Sequence, residues 1–326
     1  MTDTMKAVVI REPGAPGVLT VEDLPIPASR AGWVRIRVRA FGLNRSELFT
    51  RQGHSPNVRF PRVLGIEAVG EVDDDPSGKF AAGQTLATAM GNMGCAYDGG
   101  YAEYTSVPAG QVMALRTALG WAELGALPEM VQTAHGALTK GLQAKAGETL
   151  LIRGGTASVG LTAAVLAKSM GLAVAATTRN PGRADMLRAN GADHVFVDGG
   201  QIADDVRAIF PGGVNKVLEL VGTTTLKDSL RATALHGLVA MTGMVGNSWS
   251  FANFSPMEAI PTGVGLTTYA GDAEDFIATP LQAFIDAVEA GQARIPAGPV
   301  FRLDQIAETH GVMEGNAAVG KIVVVT

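Results

Sequence analysis

The stretch Leu150-Leu151-Ile152-Arg153-Gly154-Gly155-Thr156-Ala157-Ser158-Val159-Gly160-Leu161 sets small residues between an apolar run and a helix-forming one. The chemistry open to such a turn is anion binding. A strand brings the chain in and a helix takes it away. Small residues let the backbone approach a pyrophosphate, and the first helical N–H groups and the positive dipole end face it. Gly154, Thr156, Ala157, Ser158, Val159 and Gly160 therefore read as a dinucleotide-binding turn, with Ala157 where a middle glycine is usual. Sites specific for NAD end their second strand with Asp or Glu, about 20 residues beyond the turn. Here the chain reads Ala175-Ala176-Thr177-Thr178-Arg179-Asn180, without a carboxylate. Arg179 can pair with a 2′-phosphate, Thr178 can donate from its hydroxyl, and Arg183 supplies a second cation, so the expected cofactor is NADPH. The competing reading makes both arginines solvated surface charges.

Other chemistries find less support. One cysteine, Cys95, rules out an internal disulfide and any multi-cysteine zinc site. The five histidines (His54, His135, His194, His236, His310) lack metal-ligand spacing. Asp73-Asp74-Asp75-Pro76-Ser77-Gly78 reads as an acidic turn, since the glycine and terminal glutamate of a calcium loop are missing. A net charge of −5 argues against a nucleic-acid partner. No apolar run approaches the roughly 18 residues of a membrane span. Lys6 and Arg11 enclose only Ala7-Val8-Val9-Ile10, too short for a signal peptide core. A reduced, cytoplasmic setting is expected.

The elements that must hold these residues change along the chain. With 326 residues, 47% hydrophobic and 17% charged, two globular domains are expected. Residues 5–10 form an apolar strand, and residues 33–40 alternate, with Val34, Ile36 and Val38 on one face and Arg35, Arg37 and Arg39 on the wet one. From residue 124 helix and strand alternate, the pattern of a parallel sheet. Strands are expected at 150–152, 173–177, 195–197, 217–220, 238–241 and 266–269, with helices at 159–170 and 184–189. A helix at 281–290 and a strand at 321–325 follow. Six strands complete a doubly wound dinucleotide fold.

Gly-Gly-Thr-Ala-Ser-Val-Gly-Leu, at residues 154–161, resembles the cofactor turn of the medium-chain dehydrogenases/reductases, in their zinc-independent quinone oxidoreductase (zeta-crystallin-like) branch. The likeness runs through Gly42-Leu43-Asn44, Pro61-Arg62-Val63-Leu64-Gly65-Ile66-Glu67-Ala68-Val69-Gly70, Asp98-Gly99-Gly100-Tyr101-Ala102-Glu103-Tyr104, Ala126-Leu127-Pro128, Gly191-Ala192-Asp193-His194 and Gly320-Lys321-Ile322-Val323. It implies an α/β protein in which a six-stranded Rossmann sheet (124–270) is inserted into a mainly β, GroES-like, partly barrel catalytic domain (1–123 and 271–326).

Zinc-dependent relatives place Cys in the segment here holding Gly42-Leu43-Asn44 and His where Ile66 stands, so no catalytic zinc is expected. The resemblance then implies hydride transfer to a quinone or α,β-unsaturated carbonyl in a cleft between the domains. Asn44 would donate its amide to the carbonyl oxygen. Phe49 replaces a frequent tyrosine. Arg51 either meets substrate or pairs with a carboxylate. Thr133 either orients the nicotinamide or caps its own helix. Val221, Gly243, Met244 and Lys321 complete the cofactor wall. The alternatives left open are a catalytically weak, crystallin-like binding protein and an alcohol/aldehyde oxidoreductase. A homodimer through the last Rossmann strand is expected, since a two-fold axis pairs both sheet edges at once.

Overall fold

The computed structural model describes residues 3–326. The chain divides into two compact units, the first ending at Gln132 and resumed by Gly271–Thr326, the second Thr133–Ala270. The division falls inside the helix Pro128–Gly136, rather than after residue 123.

The first unit is mostly antiparallel. Its strands are β1 (Thr4–Ile10), β2 (Leu19–Pro25), β3 (Trp33–Gly42), β4 (Arg62–Val63), β5 (Glu67–Asp74), β6 (Thr85–Ala89), β7 (Tyr104–Pro108) and β8 (Val112–Ala114). The alternation in β3 turns Val34, Ile36 and Val38 into the core, while Arg35 and Arg39 reach across to Asp73 and Glu71 of β5 at 2.5 and 2.6 Å. Asp73, the first aspartate of the acidic turn, is thereby accounted for. Asp75 accepts from the Ser77 and Phe80 amides and closes the turn itself.

The second unit carries β9 (Thr149–Arg153), β10 (Ala173–Thr178), β11 (His194–Val197), β12 (Val214–Glu219), β13 (Thr233–Met241) and β14 (Gly265–Thr268). All pairings are parallel, in the order β11-β10-β9-β12-β13-β14, so the winding reverses at β9. Leu151, Ala175, Val217 and Val239 form the buried centre, as the near-continuous apolar runs of a two-sided sheet require. The first unit then resumes with the helices Ala273–Ala278 and Leu281–Glu289, β15 (Ala297–Arg302), the helix Ile306–Glu314 and β16 (Lys321–Val325). β16 pairs antiparallel with β3, Val323 opposite Gly42. That register brings the end of the chain to the Asn44 loop. Among the described residues no helix is long and apolar enough to cross a membrane.

Candidate functional site

In the second unit β9 ends at Arg153 and the chain turns through Gly154, at φ +84°, into the helix Ser158–Ser169. A Cβ on Gly160 would stand 2.7 Å from the Gly154 carbonyl oxygen, so only glycine lets the helix seat on the turn. Ala157 is accommodated because its φ is −70° in extended backbone, an ordinary conformation for alanine. No side chain caps the helix among the described residues, which leaves the Ser158, Val159 and Gly160 amides available to an anion. Thr156, Ala157, Ser158 and Val159 are half-buried around that opening.

Beyond the turn, Arg179 is exposed at the end of β10 and Arg183 is half-buried at the start of the helix Ala184–Ala189. Thr178 departs from expectation. It is buried, and its hydroxyl donates to the Asn180 carbonyl at 3.1 Å, closing a local turn instead of facing a phosphate. The loops bearing Val221 and Gly243-Met244 share a brace that sequence reasoning missed. Buried Glu219 accepts from the Val221 and Gly222 amides at 2.7 and 3.0 Å, and its carbonyl accepts from Thr242 and Gly243. Burial holds its carboxyl above the usual glutamate value despite these bonds. Arg153 is fully buried, and sequence reasoning gave it no role. It binds Asp198 at 2.6 Å and Asp228 at 2.8 Å, tying the end of β9 to its neighbours. Thr133 is half-buried in the helix Pro128–Gly136.

In the first unit a buried ionic cluster surrounds Asn44. Its amide nitrogen donates to Glu67 at 3.0 Å and to Glu47 at 3.3 Å, and its oxygen accepts from Lys321. Both amide hydrogens are thus directed at carboxylates, and the expected donor to a substrate carbonyl is already engaged. Lys321, expected at the cofactor, is 1% exposed and spends its ammonium on Glu67 (2.7 Å), Glu129 (3.0 Å) and Asn44. Burial alone would lower its pKa, but the two carboxylates carry it above the ordinary lysine value. Burial pushes the Glu47 carboxyl up to about 7 and raises Glu67 as well.

Arg51 resolves to the second of its two readings. At 1% exposure it binds Glu314 at 2.7 Å, His310 at 3.3 Å and the Gly14 carbonyl, tying its helix to Ile306–Glu314. His310 accepts from Arg51 at Nδ1, so its Nε2 carries the proton toward the Tyr101 hydroxyl at 3.2 Å. Burial pushes its pKa down to about 3 and keeps it neutral. No pattern along the chain announces that pair, whose members are 259 positions apart. Phe49 is buried, its ring edge-on to His54.

A parallel sheet wound in this order and opening on such a turn defines the Rossmann class of dinucleotide-binding proteins. Comparison with known proteins narrows the class. Residues 30–117 match the alcohol dehydrogenase GroES-like domain, and residues 158–279 match the zinc-binding dehydrogenase family. The quinone oxidoreductase of Homo sapiens is 27% identical, over 98% of this chain and 97% of its own. The acryloyl-coenzyme A reductase of Metallosphaera sedula is 25% identical, over 99% and 100%. A mycobacterial protein solved in complex with NADPH superposes with a TM-score of 0.87 at 26% identity, covering 99% of this chain and 100% of that one. This chain belongs to the medium-chain dehydrogenase/reductase superfamily of oxidoreductases, in its quinone oxidoreductase branch.

The zinc in one matching family's description finds no donor set here. Asn44 and Ile66 offer neither thiolate nor imidazole, and the Lys321 ammonium already sits against Asn44 and Glu67. Among the described residues no three His, Cys, Asp or Glu side chains group to hold a metal ion.

Proposed function

We propose that this protein transfers a hydride from NADPH to a quinone or an α,β-unsaturated carbonyl compound without zinc. The observation that carries the reading is the uncapped phosphate turn of the second unit; in the first, a lysine is buried against Asn44. The turn fits a pyrophosphate, with Gly160 seating the helix closely on the turn and the Ser158 and Val159 amides donating. Arg179 and Arg183 fit the 2′-phosphate, and Val221, Gly243 and Met244 line the path to the nicotinamide. The bound cofactor supplies the hydride. Val221 and Gly243 hold their positions through Glu219, which accepts from the amide of the first and, at its carbonyl, from that of the second.

Quinones and enones suit a site whose donors are already engaged. Their own π-systems spread the negative charge left by hydride arrival, so less stabilisation is asked of the protein than a saturated carbonyl demands. The acceptor gains a hydride and then a proton, which solvent can supply. The similarity to a human quinone oxidoreductase and to the acryloyl-coenzyme A reductase of Metallosphaera sedula supports both acceptor types. The test is a panel of quinones, enones and saturated alcohols, each assayed with either nicotinamide cofactor and with EDTA. NADPH oxidation by quinones or enones, unaffected by EDTA, is expected. Activity confined to alcohols, or lost to EDTA and restored by zinc, would refute it.

The protein is proposed to work as a homodimer. β14 is the last strand of its sheet, paired on one side only with β13, and a second copy about a two-fold axis would satisfy that edge. Sedimentation equilibrium at micromolar concentration should give twice the 33.7 kDa chain mass; a monomer mass would dispose of the dimer.

A further inference from the structure

Lys321 meets three elements besides its own strand. Its ammonium reaches β5 through Glu67 at 2.7 Å, the helix Pro128–Gly136 through Glu129 at 3.0 Å, and the loop before the helix Arg45–Arg51 through Asn44. Glu67 closes the arrangement by accepting from the Glu129 amide at 2.9 Å, and Glu47 by accepting from the Asn44 and Ile66 amides at 3.0 and 2.9 Å. The packing leaves no slack. A Cβ on Gly42 would collide with Lys321 Cε and Glu67 Oε1, so the cluster lies directly against bare backbone.

Stability alone does not explain such a construction. A buried ion pair is often matched by apolar side chains of similar volume, because desolvation consumes most of the Coulomb gain. Apolar packing lacks direction, however, whereas an ammonium with three placed acceptors fixes distances among all of them. Two of the fixed points have consequences. Asn44 is held directly. Glu129 precedes Thr133 by four residues, one helical turn, so a shift at Glu129 is passed along the helix to Thr133.

We infer that Lys321 is a positioning residue, fixing the first turn of the helix Pro128–Gly136 on the Asn44 loop and thereby the placement of Thr133, one turn along the same helix. The catalytic consequence rests on the proposed function; the mechanical one does not.

The variants are Lys321→Met and Lys321→Met with Glu67→Gln, the last keeping the cluster charge constant should the single change fail to fold. Glu67→Gln alone is the reference. Amide hydrogen exchange is read first, on the whole protein without cofactor. Residues 43–48 and 127–134 should exchange at least about tenfold faster in the double variant, with β9 and β12 unchanged. With NADPH and 1,4-benzoquinone, kcat should fall roughly ten- to a hundredfold while KM for NADPH moves less than about threefold. Misplaced reacting groups lower the chemical step rather than binding at the phosphate end.

Unchanged exchange in both segments of the double variant overturns the inference. So does a kcat that follows thermal stability alone across Lys321→Met, Glu67→Gln and the double variant. A wild type inactive with every quinone and enone refutes the proposed function instead, and the exchange data still decide the role of Lys321.

Discussion

Replacing Arg153 with methionine is expected to cost about 3–5 kcal/mol of stability at pH 7, the penalty for breaking a buried ion pair from one side. The guanidinium is fully buried and binds Asp198 through two nitrogens at 2.6 and 2.9 Å, Asp228 at 2.8 Å, and the Gly200 carbonyl at 2.9 Å. Asp198 and Asp228 are 7% and 6% exposed in their side chains, so water cannot replace the lost partner. Asp228 also accepts from the Ile202 and Ala203 amides at the start of the helix Ala203–Ile209, which carries the damage outward. Against a typical total of about 5–15 kcal/mol, the loss is a large fraction.

The pH dependence gives the cause away. Burial works to raise the Asp198 carboxyl, but Arg153 and the backbone overcome it and hold it below the ordinary aspartate value. A depressed carboxyl contributes stability above its unfolded pKa of about 3.9 and loses it as pH falls through the folded value. In Arg153→Met burial is left with less opposition, the carboxyl moves upward, and protonation relieves the strain. The defect should therefore be largest near pH 7 and shrink toward pH 4. Urea midpoints at both values, with unchanged m, test this. A loss below about 1 kcal/mol, or one equal at both pH values, would mean that the ion pairs do not brace the sheet.

Arg179→Ala should weaken NADPH roughly ten- to a hundredfold and leave NADH nearly unchanged, on the scale of about 1.5–3 kcal/mol for a charge-assisted hydrogen bond. Arg179 is exposed at the end of β10, at the position where NAD-specific sites carry a carboxylate. Thr178 is occupied with Asn180, so the hydroxyl expected to share the phosphate is withdrawn and more of the discrimination falls on the arginines. Rising salt should erode the preference, because an exposed charge is screened. The measurement is kcat/KM for both cofactors in wild type and variant at two ionic strengths. Equal losses for the two cofactors would show that Arg179 does not read the 2′-phosphate.

The parts legible in the sequence are those written in consecutive residues or in a short period. The apolar runs at 150–152, 173–177 and 217–220 identified β9, β10 and β12, because a sheet buried on both faces demands them. Arg35, Arg37 and Arg39 read as the wet face of a half-buried strand, and two of them pair across it with β5. The turn between strand and helix was legible to within one residue at either end, since its geometry is set within eight positions. Its one irregularity, Ala157, needed a backbone angle to explain it.

The lack of thiolate and imidazole at positions 44 and 66 was likewise fixed by residue type alone, as was the missing carboxylate after β10. What the side chains at those places do instead was decided only by tertiary structure. Asn44 and Lys321 are 277 positions apart, Arg51 and His310 259, Arg153 and Asp228 75. A polar side chain carried out of water must take whichever partners strand register and helix docking bring within reach. No local pattern encodes that choice. Asn44 and Lys321 therefore became a buried cluster rather than separate contacts for substrate and cofactor, and Arg51 became a tie between helices.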